Sequence, residues 1–333
     1  MSSFRNQNQS RGSESDDDNG YSAHGGDEGG FRVDYAGDGS DDSFSLSVFG
    51  RTITISQMPN DRVIGHGAVV WEAAVVFAKY MEYGSNKDLA LSSLLGRTVL
   101  ELGSGPGLGG MCMMLRGADV TLTDLACVTE ALTFDNTRRF YKQLRSEGSG
   151  AMAGVPLLRP RVFSLDWTDE GGVATMLAQA APVDSPGARS TPHPPGEMPE
   201  SEPVVDPAAD ADVAASAAAD VADDDADGTA GAAKTWAPLT APFDVVLLTD
   251  CVFSVHLVPD LVRTIRQCTG PRSVVYCVHE IRDTDANAEF LRVLGLYFKL
   301  KMVDRRKQHP DYRHELVQIL IAKPRRKLAD DTE

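Results

Sequence analysis

Three stretches of this chain combine acids, glycines and aromatics in spacings that can do chemistry. The richest is Thr98-Val-Leu-Glu101-Leu-Gly103-Ser104-Gly105-Pro-Gly107-Leu-Gly-Gly110, a short apolar run entering a glycine turn that opens a helix. Glycines at 103, 105 and 107 let a ligand approach the backbone closely, and the helix start offers unpaired N–H groups. A small molecule is expected there. Gly105 to Gly110 also satisfies the G-x-G-x-x-G dinucleotide pattern. Two features favour S-adenosylmethionine instead: Glu101, two residues before the first glycine, and the reading E-x-G-x-G-x-G across 101 to 107. A carboxylate at that strand end can hold a methionine ammonium, whereas a pyrophosphate would be repelled.

Further acids follow at the ends of other apolar runs. Asp124 comes 21 residues after Gly103, where an acid bridges ribose hydroxyls in either cofactor; its alternative role is a helix N-cap. Asp166 and Trp167 close a third run, placed to accept from an adenine amino group and to wall its ring, with a core tryptophan as the alternative. Phe243 to Thr249 is apolar and ends in Asp250, with Phe253 three residues on. An acid there lies at the carboxyl edge of a sheet, facing the reactive end of a bound cofactor, and Phe253 can supply an apolar wall or a cation-accepting face. His279-Glu280-Ile281-Arg282 borders the same edge, either touching substrate or forming a surface ion pair. His66 and His309 read as ordinary loop residues.

Positioning these residues requires a sheet. From Thr98 onward short apolar runs (Val99 to Leu102, Val120 to Thr123, Arg161 to Leu165, Phe243 to Leu248, Ser273 to Val278) alternate with helix-length segments, the rhythm of a parallel sheet with helices on both faces. Leu300 to Val303 and Glu315 to Ala322 read as an antiparallel hairpin closing it. Upstream, Phe44 to Phe49 and Thr52 to Ser56 alternate around Gly50-Arg51 as a β-hairpin, and Val69 to Tyr83 carries helical periodicity.

Charge separates this core from the rest of the 333 residues. Residues 1 to 42 carry a net charge of −7 and residues 183 to 233 carry −11, against −16 for the whole chain, so the remainder stands near +2. Both acidic stretches lack the apolar side chains that would offset ordering entropy and are expected to be disordered, the second as an insert in a domain spanning 43 to 324, with 325 to 333 a tail. Five cysteines without C-x-x-C spacing argue against disulfides and thiolate zinc, and no metal site is expected. No segment has signal-peptide or membrane-span character, so a cytoplasmic or nuclear protein without membrane contact is expected. Acidic balance argues against nucleic-acid binding.

Taken together, Gly67 to Met81 with Trp71, Val99 to Gly105, Thr123 to Leu125, Leu165 to Trp167, Asp250 to Phe253 and His309 to Arg313 resemble the seven-β-strand protein-lysine methyltransferases. The resemblance covers about residues 44 to 324, excluding the insert. It implies an α/β fold of class I methyltransferase (Rossmann-like) type, a seven-stranded, mostly parallel sheet with an N-terminal β-hairpin. It further implies S-adenosyl-L-methionine as donor and a protein substrate, of AAA-ATPase or chaperone type; the sequence does not give the oligomeric state, for which a monomer is the expectation. Carried over by position, Trp71, Gly103, Ser104, Gly105, Asp124, Trp167 and Thr249 become cofactor contacts, and Asp250 to Phe253 takes the place of the Asp-x-x-Tyr active-site motif. Phe253 departs from the family tyrosine. Glu280 is a further acceptor-site candidate. Rival readings are a small-molecule methyltransferase and a catalytically silent cofactor-binding module.

Overall fold

The computed structural model describes residues 42–84, 86–147, 157–179 and 239–326. The acidic tail, the acidic insert and most of the C-terminal tail expected above lie outside those residues. Nine strands occur among the described residues: β1 (Ser43–Val48), β2 (Arg51–Ser56), β3 (Thr98–Leu102), β4 (Asp119–Asp124), β5 (Arg161–Ser164), β6 (Phe243–Thr249), β7 (Thr269–Glu280), β8 (Phe298–Met302) and β9 (Val317–Pro324). The helices are α1 (Glu72–Tyr83), α2 (Leu91–Leu94), α3 (Leu108–Met114), α4 (Ala126–Val128), α5 (Phe134–Ser146), α6 (Gly172–Gln179), α7 (Val258–Cys268) and α8 (Thr284–Tyr297).

β1 and β2 form the hairpin, and the other seven make one sheet in the order β5-β4-β3-β6-β7-β9-β8. Pairing is parallel from β5 through β7, while β9 runs antiparallel to both β7 and β8. This is the seven-stranded, mostly parallel architecture expected. Side chains alternate across the pleat. Val99, Val120, Leu122, Val245 and Leu247 pack toward α1 and α3, while Leu100, Leu102, Val246 and Leu248 pack toward α7 and α8. Burial on both faces explains why these strands read as continuous apolar runs.

Several boundaries differ from the sequence reading, three of them for reasons visible in the hydrogen bonding. The hairpin turn is Phe49-Gly50, one residue earlier than expected, because Val48 pairs with Arg51 and both turn residues take positive φ (53° and 72°). Phe49 tolerates this because its N–H donates to Glu82 Oε1 at 2.7 Å and its ring lies under the Arg116 guanidinium. α1 begins at Glu72 rather than Val69, since Val69 to Trp71 stays outside the helix and the Val70 N–H donates to Gln57 Oε1. β7 starts four residues before its apolar run, where Ser273 Oγ accepts from the Gly270 N–H and donates to the Phe243 carbonyl.

One buried side chain ties the hairpin to the glycine turn. Asn136, fully buried in α5, accepts from the Ser56 N–H at 2.8 Å and donates to the carbonyls of Ser56 and Pro106. Truncating it leaves the part-buried Ser56 groups and the buried Pro106 carbonyl without this partner. Asn136→Ala is expected to destabilise the protein by about 2–4 kcal/mol, read as a shift in the urea midpoint at constant slope; a change too small to measure would show that the clamp is dispensable.

Candidate functional site at the carboxyl edge of the sheet

The turn after β3 is built by carboxylates as much as by glycines. Gly103 and Gly105 have φ of 62° and 50°, conformations that side-chain-bearing residues adopt at a cost. The Ser104 N–H donates to the Thr123 carbonyl at 2.9 Å, and Asp124 at the end of β4 accepts the Gly105 N–H at 2.7 Å and the Leu125 N–H at 2.8 Å. Burial raises the Asp124 carboxyl above its usual range, opposed by those two hydrogen bonds.

Glu101 has no exposed surface. Its carboxylate accepts the Gly110 N–H at 2.7 Å and the Thr249 hydroxyl at 3.4 Å. It therefore faces the first turn of α3 rather than the open cleft. A Cβ at Gly109 or Gly110 would come within 2.2 Å or 2.9 Å of the Glu101 oxygens, which is why two glycines follow the turn itself. Burial pushes the Glu101 carboxyl up to about 8.

Trp167 lays its ring against Gly103, so close that a Cβ there would stand 3.0 Å from it. Its indole N–H is buried without a hydrogen-bond partner among the described residues, as is the Ser104 hydroxyl. Asp166 is exposed and accepts from the N–H and hydroxyl of Thr168, capping the following turn. Trp71 lies half-buried on a strap, residues 65 to 71, that crosses the glycine turn: a Cβ on Gly105 would meet the carbonyls of Gly67 and Val69 at 3.5 Å and 3.8 Å.

Asp250, Glu280 and Trp71, brought together from three separate elements, meet through a residue that the sequence left as half of a surface pair. The Arg282 guanidinium contacts Asp250 Oδ2 at 2.7 Å and Glu280 Oε2 at 2.6 Å, and lies 4.5 Å from the Trp71 ring centroid. Asp250 Oδ1 accepts the Glu280 N–H at 3.1 Å, and the Asp250 backbone, at φ 68°, is fixed by its N–H donating to the Val278 carbonyl. Asp250, Glu280 and neighbouring Glu72 outweigh burial and raise the Arg282 pKa. Burial, then the carboxylates of Glu280 and Asp250, raise the pKa of Glu72.

His66 also departs from the loop role expected of it. Its ring sits 6.1 Å from Trp71 and 5.6 Å from Phe253, and its carbonyl accepts the Trp71 indole N–H. Gly-His-Gly five residues before Trp71 was the available signal. His309 packs against Tyr83 and Tyr312, likewise more than a loop residue. His279 is buried against Asn287, and burial lowers its pKa. Among the described residues no group of three His, Cys, Asp or Glu side chains could hold a metal.

The family model described as "Lysine methyltransferase" matches residues 51–137 and 234–296, the stretches that carry the glycine turn, Asp124, Asp250, Glu280 and Arg282. Over these two stretches the chain is similar to this lysine methyltransferase family. It is similar to protein N-lysine methyltransferase METTL21A of Danio rerio, 44% identical over 70 residues, which make 21% of this chain and 29% of that protein. It is 37% identical over 95 residues to EEF1A lysine methyltransferase 3 of Mus musculus, covering 27% and 38% of the two chains. Against histone-arginine methyltransferase METTL23 of Xenopus laevis the identity is 33% over 132 residues, covering 40% and 46%. The chain thus spans under half the length of each of these relatives.

The buried acid under α3 sets a pH dependence. Glu101 titrates higher in the folded state than unfolded, so the folded protein binds the extra proton. The stability this contributes is complete below about 4.5 and is lost as pH rises through about 8. Asp124 and Glu72 act in the same sense, His279 in the opposite one. Melting temperatures of the parent and Glu101→Gln between pH 5 and 8.5 isolate Glu101: the parent should lose ground relative to the variant as pH rises, and parallel curves would contradict the assignment.

Proposed function

We propose that the protein is an S-adenosylmethionine-dependent enzyme that transfers a methyl group to a lysine side chain of a protein. The observation that carries this reading is a seat for a cation, made of Asp250, Glu280 and the Trp71 ring, beside a glycine turn in which acidic side chains hold the Gly105 and Gly110 amides. A pyrophosphate would need the N–H groups of Gly105 and Gly110, which Asp124 and Glu101 hold. The turn therefore suits a ligand with cationic character better than an anionic one. The unpartnered Ser104 hydroxyl and Trp167 indole N–H offer two further donors to a polar molecule there. When bound, S-adenosylmethionine supplies an electrophilic methyl group on a sulfonium.

The chain's own residues supply the handling of the acceptor. A lysine arrives as an ammonium with a pKa of about 10.4 and is not a nucleophile until it loses a proton. Asp250 and Glu280 receive the ammonium and favour its charged form, Trp71 and Phe253 wall its alkyl stem, and the proton passes to one of these carboxylates or to water before the nitrogen attacks. Phe253 lacks a hydroxyl, so the acids alone orient the nitrogen. As to target, the resemblance to the methyltransferase of valosin-containing protein makes an AAA ATPase the first substrate to assay and chaperone-type proteins the next. Five free thiols fit a reducing cytoplasmic or nuclear compartment.

Asp250→Asn keeps the shape and suits the left-handed backbone, which asparagine tolerates well. It should lower transfer of labelled methyl into lysate protein by tenfold or more while donor affinity changes much less, and Phe253→Tyr should retain activity. Acid hydrolysis of the labelled band should yield methyllysine. Methylarginine, or label in small molecules alone, would overturn the choice of acceptor.

A further inference from the structure

As the structure stands, no acceptor can reach Asp250. Its side chain is 1% exposed and both carboxylate oxygens are engaged, one by the Glu280 N–H and the other by Arg282. Arg282 is the side that faces outward, at 33% exposure. It lies outside the strands, so its side chain can move without unpairing one. It follows β7 in the short connection before α8, where Ile281 donates to the Leu316 carbonyl and Asp283 caps the helix, so the backbone is held while the long side chain is free to rotate.

The guanidinium has what an acceptor ammonium would need: two carboxylates and an aromatic face, with the His66 and Phe253 rings alongside Trp71. Asp250, Glu280 and nearby Glu72 give three carboxylates against one arginine among these residues. We propose that Arg282 is a tethered competitor for the acceptor cation, holding the lysine's place between Asp250, Glu280 and Trp71 until a substrate displaces it. This rests on the methyl-transfer reading for what the acceptor is. A group tethered beside its site competes at an effective concentration of order millimolar, so only a lysine brought in with additional contacts from a folded protein would displace it. Arg282 would then set specificity by rejecting free amines and loosely held peptides.

The probe is n-butylammonium, the lysine side chain without its backbone, titrated into the full chain with S-adenosylhomocysteine present and followed by NMR. In the parent, saturation should shift the Arg282 Nε–Hε resonance as the guanidinium leaves. Arg282→Ala should bind the probe at least tenfold more tightly than the parent and should gain a saturable site for ethylguanidinium that n-butylammonium competes away. Arg282→Lys, which keeps a cation against Asp250 but can neither bridge both acids nor stack flat, should fall between them and covers the case in which the alanine variant does not fold. Equal or weaker probe affinity in the folded variants, or an Arg282 resonance that ignores saturating probe, would show a structural ion pair and overturn the proposal. Failure of the parent to bind S-adenosylhomocysteine would instead defeat the methyl-transfer reading, and the competition at Arg282 would still be decided by the same titrations without it.

Discussion

β3 lies between β4 and β6 with Leu102 level with Thr123 on one side and Leu248 on the other, and this register places Glu101, Asp124 and Thr249 around the glycine turn. Because the three strands end together, Asp124 drops onto the Gly105 amide from one flank while Thr249 reaches Glu101 from the other. A slip of one residue would turn Glu101 out of its place beneath α3 and send Leu100 or Leu102 there instead. The apolar faces on both sides of the sheet forbid that slip. Core packing thus holds a carboxyl group at full burial, where desolvation pushes it up to about 8, and the first turn of α3 closes over it only because positions 109 and 110 carry no side chain.

The two halves of the cleft share one wall. Trp71 stands at the end of the strap that crosses the glycine turn, and the same ring stacks on the guanidinium that ties Asp250 to Glu280. Adjacency of β6 and β7 brings those two acids together, with Asp250 at positive φ turning back so that the Glu280 amide reaches it. Charge therefore accumulates at the junction of two strands and a strap that are all fixed by the core, which is the arrangement a site needs if its groups are to stay in place when desolvated.

Much of this was legible in the sequence because buried parallel strands and glycine turns are local signals. Runs such as Phe243 to Thr249 announce a strand buried on both faces, and the string from Glu101 to Gly110 announces a ligand turn. The orientation of Glu101 differs from the ammonium-holding role expected of it, because alternation puts its side chain on the same face as Val99, toward α1 and α3, where the Gly110 amide meets it. The hairpin turn was misplaced because Phe49 adopts a conformation rarely taken by an aromatic residue, supported by Glu82 and Arg116 from distant segments. His66 and Arg282 were under-read for a different reason. Their partners lie on other elements, and only strand order and the path of the strap bring them together.

The central claim is that carboxylates holding the turn's amides select a cationic donor over a dinucleotide. Calorimetric titration of the purified chain with S-adenosylmethionine and, separately, with NAD tests it most directly. Saturable one-to-one heat from S-adenosylmethionine and none from NAD is the expected result; binding of NAD with no heat from S-adenosylmethionine would contradict the account of the turn and the function built on it.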